Sequence, residues 1–325
     1  MTPLERALRD RIRAEGPITV EAYMEACNSY YYGTRDPLGV GGDFTTAPEV
    51  SQMFGEMVGA ALADCWRRAG SPAGAIYTEL GPGRGTLASD ALRVLRPAGF
   101  RGDVHFVETS PVLRGAQALT VPDAQSHDII EDLPQAPLLL VANEFLDALP
   151  VRQSVDGVER RVVLAANGLA FDRDGEIMET SPTRERVTRE FARRLVEDGG
   201  VALIFDYGQE RSGPGETLQA VRAHRFAPVL ESPGEHDLTA HVDFEAVASA
   251  AKAAGAVTSG IVSQGEWLKR VGIEARAQAL VRSNPDSACE IDSALHRLTE
   301  PEEMGTLFKV MAIRSPVWPL PAGLE

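Results

Sequence analysis

Four short apolar segments constrain the fold of this chain more than any other feature. They are AIYTEL (75–80), DVHFVE (103–108), LLLVANEF (138–145) and VALIFDYG (201–208). Strands of a parallel sheet that is covered on both faces have this nearly continuous apolar character. Helical segments follow the first two, at Leu87–Leu95 and Pro111–Ala118. The alternation of strand and helix predicts an α/β fold with a doubly wound parallel sheet.

The segments outside this alternation complete the predicted organisation. Residues 1–70 are expected to form a helical N-terminal region, and residues 71–325 the domain that contains the sheet. An insertion at about 151–175 alternates apolar and polar residues between turns at Asp156-Gly157 and Asn167-Gly168, which predicts an antiparallel β-hairpin. AVTSGIVSQ (256–264) and TLFKVMAIR (306–314) are the expected last two strands.

The segment Tyr30–Met57 interrupts the N-terminal helices. Its Gly, Pro and Asp residues favour irregular backbone, yet it also contains three consecutive tyrosines and Phe44. A solvated linker rarely contains so many aromatic side chains. We therefore expect a packed functional loop and not a tether.

The charge and the apolar pattern limit the partners. With 32 Lys and Arg against 47 Asp and Glu, the formal net charge is −15, which makes nucleic acid an unfavourable partner. The three cysteines have no metal-ligand spacing, so we expect no metal site. No apolar run approaches the ~20 residues that span a bilayer. The N-terminus alternates charges with Leu4, Leu8 and Ile12, unlike a secretion signal, so we expect a cytoplasmic protein without membrane insertion.

A glycine-rich turn follows the first strand, in TELGPGRGT (78–86). Glycines at such a turn let the backbone approach a ligand closely. The dinucleotide fingerprint is G-x-G-x-x-G, whereas this segment is E-x-G-x-G-x-G, with Glu79 ahead of Gly81, Gly83 and Gly85. The spacing disfavours a nicotinamide-dependent oxidoreductase. It resembles class I S-adenosylmethionine (SAM) methyltransferases, which implies that Glu79 or its neighbours hold the methionine end; a plain tight turn is the alternative.

Two further acidic positions belong to the same predicted crevice. Glu108 ends the second strand, where a carboxylate can accept both ribose hydroxyls of a nucleotide; the alternative is an exposed acid at a strand end. Asp132 lies in a short polar loop and could meet an adenine amino group, with a solvated loop as an equal alternative.

Polar residues also follow the apolar run at 138–142, in VANEFLDALPVRQ (141–153). Asn143, Glu144 and Asp147 place an amide and two carboxylates where an acceptor would meet a cofactor. Glu144 and Asp147 share a face if this segment is helical. The alternative is a polar helix start with a solvated Asp147.

Two later motifs are more ambiguous. Asp206 and Tyr207, in FDYG, end a strand at the same edge of the sheet. In DLTAHVDF, Asp237 and Thr239 are candidates for closing an acceptor site, whereas Asp243 is expected to be a helix N-cap.

Six motifs together resemble the MidA-like methyltransferases, the family of a mitochondrial complex I assembly factor that methylates an arginine of a complex I subunit. They run from about Tyr30 to Ile313 as GDFTTAPEVSQMFGE, ELGPGRGT, NEFLDALPVRQ, FDYG, DLTAHVDF and GTLFKVMAI. Departures are small: Ala47 stands where the family often has Ser, and Leu146 where a second Phe is common. Neither removes a chemical group that the reaction requires.

The resemblance implies a SAM-dependent protein arginine methyltransferase that acts on a complex I subunit. Arginine stays protonated at any working pH, and paired carboxylates can grip its guanidinium group bidentately. Glu144 and Asp147 are the catalytic candidates and Asp43 is a third, with Tyr30–Tyr32 along the acceptor channel. The cofactor candidates are Glu79, Gly81, Gly83, Gly85, Glu108, Asp132 and Asn143.

Other interpretations stay open. The chain could be an assembly chaperone that binds SAM without turnover, or a methyltransferase for another protein side chain or a small molecule. The absence of a transit peptide indicates a bacterial homologue and not a mitochondrial precursor. A homodimer is also left open.

Overall fold

The computed structural model describes residues 1–39, 42–43 and 45–325. Its helices are α1 Pro3–Glu15, α2 Val20–Thr34, α3 Ala47–Val50, α4 Gln52–Arg68, α5 Thr86–Leu95, α6 Pro111–Thr120, α7 Pro182–Asp198, α8 Phe244–Ala253, α9 Gln264–Val271, α10 Ile273–Ser283 and α11 Ala288–Thr299. Its strands are β1 Ile18–Thr19, β2 Ile76–Leu80, β3 Val104–Val107, β4 Gln125–His127, β5 Leu138–Asn143, β6 Arg152–Val155, β7 Val158–Glu159, β8 Arg161–Ala165, β9 Gly168–Phe171, β10 Ile177–Thr180, β11 Gly200–Gln209, β12 Gln219–Arg222, β13 Arg225–Ala227, β14 Asp237–Thr239, β15 Val242–Asp243, β16 Val257–Thr258, β17 Val262–Ser263 and β18 Phe308–Arg314.

The central sheet has the predicted doubly wound topology. Its strands lie in the order β16-β18-β11-β5-β2-β3-β4, and β4, β3, β2, β5 and β11 are parallel. β18 runs antiparallel to both of its neighbours. From β2 the chain first builds outward through β3 and β4, and then returns to add β5 and β11 on the other side. A crevice therefore opens beyond the carboxyl ends of β2 and β5, where doubly wound sheets bind ligands.

Helices cover both faces of this sheet, which explains why its strands are apolar throughout. On one face, α4, α5 and α9–α11 pack against side chains such as Leu139 and Phe205. On the other face, α7 and α8 pack against Leu140 and Ile204. Successive strand residues point to opposite faces, so both sets of positions must be apolar.

The insertion after β5 contains two hairpins where the sequence predicted one. β6 and β7 pair across a turn at Asp156-Gly157, and β8 and β9 pair across the next turn, in separate three-stranded sheets with β10 and β1 respectively. Arg160 separates the hairpins. Its guanidinium group is buried, lies 3.7 Å from the centre of the Phe171 ring and donates to Oε1 of Gln153 at 3.0 Å. The position where the two hairpins separate is therefore occupied by one buried side chain, although the sequence pattern continues through it.

The N-terminal helix α2 is longer than the sequence suggested. The side chain of Thr19 caps it by accepting from the N–H group of Ala22 at 3.1 Å. The helix continues to Thr34, so Tyr30–Tyr32 lie in its last turns and not in the following loop. Val20, Tyr23, Met24, Cys27 and Tyr31 form its buried face.

Helix α4 packs against α5 and the sheet core, although the sequence placed it in the N-terminal region. The proposed division at residue 70 stays a prediction. In the described part of the chain, no helix is both long enough and apolar enough to cross a bilayer.

Candidate active site

The glycine-rich turn after β2 has a backbone that favours glycine. Gly81, Gly83 and Gly85 have φ angles of +61°, +55° and +82°. A Cβ atom at Gly81 would lie 2.8 Å from Cδ2 of Phe145, and one at Gly83 would lie 2.7 Å from Cδ1 of Leu38. The backbone conformation therefore disfavours a side chain at these glycines, and at Gly81 and Gly83 a neighbouring side chain would also have to move.

The described part of the loop between α2 and α3 packs over this turn. Nε of Arg84 donates to Oδ2 of Asp36 at 2.7 Å, and Nη2 donates to the carbonyl oxygen of Leu38 at 2.7 Å. Oγ1 of Thr86 donates to Oε1 of Glu49, also at 2.7 Å. These bonds hold the start of the loop and helix α3, which follows the loop, against the glycine-rich turn and the start of α5. Phe44, which the sequence placed in this loop, lies outside the described residues.

Two of the predicted SAM-binding acids lie close to the crevice, and the third is exposed. Glu79 is buried in β2, its Oε2 has no hydrogen-bond partner, and burial raises its pKa to about 8. Glu108 follows β3, is half-buried, and accepts from the N–H group of Ser110 at 2.7 Å. Asp132 ends a short 3₁₀ turn and is exposed. The glycine backbone, the unpartnered Glu79 oxygen and the acid after β3 fit a nucleoside cofactor. The individual roles stay predictions.

Glu144 occupies a conformation that a residue with a side chain rarely adopts. It follows Asn143, the last residue of β5, and has a φ angle of +49°. Its N–H group donates to the carbonyl oxygen of Phe205 at 2.8 Å. Its Oε1 accepts from the N–H group of Ala47 and from Nδ2 of Asn143, each at 3.3 Å. Such strained residues concentrate at functional sites, which agrees with the predicted role of Glu144.

The segment after Glu144 forms a turn, not the helix considered from the sequence. The N–H group of Leu149 donates to the carbonyl oxygen of Leu146 at 3.1 Å. Asp206 holds the turn, because its Oδ2 accepts from the N–H groups of Leu146 at 2.9 Å and Asp147 at 3.3 Å. A side chain from β11 thus fixes two successive N–H groups of this turn. The turn nevertheless keeps Asp147 near Glu144, since the charge of Asp147 contributes to the raised pKa of Glu144.

Asp147 and Asp206 are buried acids in mutual contact. The side chain of Asp206 is fully buried, and Oδ1 of Asp147 is buried without a hydrogen-bond partner. Burial raises the pKa of both carboxyl groups, and the charge of Asp147 raises that of Asp206 further. Tyr207 and the charge of Arg184 act in the opposite direction on the pKa of Asp147. A buried acceptor without a donor can accept a hydrogen bond from a ligand.

Asp237 joins this group from β14. Its Oδ1 accepts from the hydroxyl group of Tyr32 at 2.7 Å. Asn28 fastens β14 to the turn, because its Nδ2 donates to the carbonyl oxygens of Ala148 at 2.9 Å and Leu238 at 2.8 Å. Burial raises the pKa of Asp237 to about 7. Glu144, Asp147, Asp206 and Asp237 are named the carboxyl cluster below. Within the described residues, no group of His, Cys, Asp and Glu has a metal-binding arrangement.

Arg184, in the first turn of α7, is a site residue that sequence reasoning missed. Its side chain is buried and donates to the carbonyl oxygens of Leu146 at 2.6 Å, His241 at 2.6 Å, Ala240 at 2.8 Å and Asp147 at 3.1 Å. It therefore joins the turn after β5 to the segment after β14. Asn28 was missed for the same reason: the partners of both side chains are distant main-chain groups, which leave no local signal in the sequence.

Asp43, the third catalytic candidate, has hydrogen bonds on both carboxylate oxygens. Oδ2 accepts from the hydroxyl group of Tyr31 at 2.6 Å, and Oδ1 accepts from the N–H group of Ala223 at 2.8 Å. Its carbonyl oxygen accepts from the N–H group of His224 at 2.9 Å. These bonds fix the loop to the turn between β12 and β13, beside α2. A direct catalytic role for Asp43 stays a prediction.

Comparison with known proteins agrees with this geometry. A family model of S-adenosyl-L-methionine-dependent methyltransferases matches residues 57–171 and 158–262. The mitochondrial protein arginine methyltransferase NDUFAF7 homolog of Drosophila melanogaster is 38% identical, with 95% of this chain and 84% of that protein covered. The chain belongs to the MidA-like methyltransferase family. Human mitochondrial protein arginine methyltransferase NDUFAF7 is 32% identical, with 96% of this chain and 83% of that protein covered.

A solved structure of the family shares the whole architecture. It is a superfamily member from Burkholderia thailandensis bound to S-adenosyl-homocysteine, with a TM-score of 0.84 and 26% identity. The match covers 99% of this chain and 94% of that one. The resemblance drawn from the six motifs is thus confirmed, and the chain is a SAM-dependent methyltransferase of class I fold.

The glycine turn allows a direct test of cofactor binding. We expect Gly83→Val to weaken SAM binding by about tenfold or more, because a β-branched residue at positive φ costs roughly 1–3 kcal/mol and the turn must move to relieve it. Calorimetric titration with SAM measures the effect. Gly74→Val is the matched control, since Gly74 has a φ angle of +78° and no atom within 4 Å of an added Cβ. Near-normal SAM affinity of the Gly83 variant would show that the turn does not hold the cofactor.

Proposed function

We propose that this enzyme transfers a methyl group from SAM to an arginine side chain of a protein. The carboxyl cluster is the observation that supports the proposal. Three buried acids, Asp147, Asp206 and Asp237, and the half-buried Glu144 surround the turn after β5. One of their oxygens, Oδ1 of Asp147, has no donor. A guanidinium group supplies five N–H donors and a charge that is retained at any working pH. No other protein side chain offers as many donors to such a site.

The chain's own residues act on the acceptor in two ways. SAM, when bound, supplies a methyl group on a positively charged sulfur. Glu144 and Asp147 grip the guanidinium group and hold one nitrogen in line for attack; such positioning is worth roughly 7–11 kcal/mol in well-oriented model reactions. They also draw positive charge to the gripped nitrogens, which leaves the free nitrogen a better nucleophile.

The cluster can also accept the proton that the reaction releases. A guanidinium group that gains a methyl cation must lose one proton to keep a single positive charge. Burial raises the pKa of Glu144 to about 8 and that of Asp237 to about 7, so each exchanges a proton near neutral pH. Gripping requires the ionised form of the same groups. Acceptor binding therefore strengthens as the pH rises through about 7 to 8.

The substitution Glu144→Gln removes the charge of this side chain and keeps its shape, so it tests the charge alone. Glu144→Gln retains one acceptor oxygen and adds an NH₂ donor that repels the guanidinium group. Loss of a charge-assisted hydrogen bond in the transition state costs about 1.5–3 kcal/mol, so we expect methyl transfer to slow by about ten- to a hundredfold. Single-turnover transfer from labelled SAM measures it. SAM affinity should change little, and Glu290→Gln, at an exposed acid on α11, should change neither quantity.

If Glu144→Gln transfers the methyl group at the wild-type rate, the Glu144 carboxylate does not hold the guanidinium group. Asp147→Asn, measured in parallel, should have a smaller effect if Asp147 only orients the acceptor. A SAM-binding chaperone without turnover predicts no transfer in any variant, and complex I assembly that survives Glu144→Gln.

We further propose that the acceptor is a subunit of respiratory complex I and that the enzyme works in the bacterial cytoplasm. The arginine methyltransferase relatives and the carboxyl cluster support a protein acceptor. Mass spectrometry of complex I subunits from cells with and without the gene is the test. We expect one arginine to lose its methylation in the deletion strain and to regain it with the wild-type gene but not with Glu144→Gln. Unchanged methylation of every subunit would exclude complex I as the target. The homodimer considered above stays a prediction.

A further inference from the structure

A small antiparallel sheet extends from the carboxyl cluster to the surface. Its strands lie in the order β13-β12-β14. Val221 in the central strand pairs with Phe226 on one side and with Asp237 on the other. Side chains of residues that pair directly in an antiparallel sheet point to the same face. Asp237, Val221 and Phe226 therefore form one row across this face, named the acceptor row below.

The acceptor row lies on the face of the small sheet that is turned towards the active site. On the other face, Ala220 and Leu238 are buried against α1 and α2. On the face of the row, Nε2 of Gln219 donates to Oγ1 of Thr239 at 3.2 Å and to the hydroxyl oxygen of Tyr207 at 3.4 Å. Tyr207 directly follows Asp206 of the carboxyl cluster. The row thus continues the wall of the site outward.

The inner and outer ends of the acceptor row differ in chemistry. At the inner end, Asp237 is 5% exposed and bonded to Tyr32. At the outer end, Phe226 is 78% exposed. Neighbouring strands are about 4.8 Å apart, so the two residues are separated by about 10 Å, the length of roughly three residues of extended chain.

The sheet that carries the row is fastened at its tip. Asp43 accepts from the N–H groups of Ala223 and His224 in the turn between β12 and β13, at 2.8 Å and 2.9 Å. Asp43 is in turn bonded to Tyr31. An exposed aromatic ring on a fixed backbone can bind a partner side chain at little ordering cost.

We propose that the acceptor row is the docking surface for the protein segment that carries the target arginine. The inference rests on the arginine methylation proposed above and adds a sequence requirement to it. The guanidinium group enters the carboxyl cluster, and a large apolar side chain about three residues away in the extended acceptor packs on Phe226. Charge selects the residue at the inner end of the row, and apolar contact selects the residue at the outer end.

The acceptor row spans about 10 Å, so peptides of about eleven residues cover it with several residues to spare on each side. Synthetic peptides of this length test the sequence requirement. Each has one central arginine in a Gly/Ser background and one Phe, which is moved through every other position; a matched peptide has Ala in its place. Methyl transfer from labelled SAM and peptide binding by fluorescence anisotropy are measured separately on the full chain. Peptides with Phe about three residues from the arginine should have the lowest KM.

The variant Phe226→Ala should raise the KM of those peptides by about tenfold, the effect of a lost contact worth about 1.4 kcal/mol. It should leave kcat within about twofold, SAM affinity unchanged, and the Ala-matched peptide unaffected. Leu119→Ala is the control, since it removes a side chain that is 85% exposed on α6. That variant should have no effect on any peptide.

The outcomes separate this inference from the proposed function. If arginine peptides are methylated and Phe226→Ala changes nothing, the docking surface is wrong and arginine methylation stands. If no peptide is methylated but Phe-dependent binding is lost in Phe226→Ala, the docking surface stands and the arginine acceptor is wrong. If no peptide is methylated and Phe226→Ala does not change peptide binding, both the docking surface and the arginine acceptor are wrong.

Discussion

The enclosure of four carboxyl groups around the turn after β5 is the constraint on which the rest of the site depends. Glu144 and Asp147 come from the segment after β5, Asp206 from β11 and Asp237 from β14. Removing a charged carboxylate from water is costly unless the group is neutralised or paired. Here burial raises the pKa of Glu144, Asp147, Asp206 and Asp237. The folded chain therefore retains protons that the unfolded chain releases above about pH 4. The stability of the empty site falls as the pH rises from there to about 8, the folded pKa of Glu144, and changes little above it. A cationic acceptor reverses this cost because it favours the ionised forms.

The surrounding architecture keeps these acids together with little compensating charge. The charge of Arg184 lowers the pKa of Asp147 and Asp206, but burial has the larger effect and both pKa values stay raised. The only buried cation in direct contact with the turn after β5, in the part of the chain that the structure describes, is Arg184, whose donors go to main-chain carbonyl groups. Asn28 likewise uses its amide to join β14 to this turn. Polar groups that could have paired with the carboxylates instead fix the backbone. Oδ1 of Asp147 is left without a donor, which a cationic ligand can supply.

The sequence predicted the sheet and the glycine-rich turn because both depend on local patterns. Continuous apolar runs specify strands that are covered on both faces, and the glycines at 81, 83 and 85 indicate the turn that their φ angles of +61°, +55° and +82° confirm. Glu144 was found because it follows a buried strand. Its left-handed conformation was not predicted. The turn that carries Asp147 was not predicted either, since Asp206, about sixty residues further along the chain, holds it through hydrogen bonds to Leu146 and Asp147. Arg160, which lies between the inserted hairpins, likewise donates to Glu216, 56 residues further along the chain.

Proton release on acceptor binding tests the account most directly. An arginine peptide with Phe about three residues away is titrated into the enzyme with S-adenosylhomocysteine at pH 7, in buffers of different ionisation enthalpy. The raised pKa values of Glu144 and Asp237 predict that the cationic side chain displaces protons, about one for each peptide bound, and that the matched citrulline peptide displaces none. Binding of the arginine peptide without proton release would contradict the claim that the guanidinium group enters the carboxyl cluster.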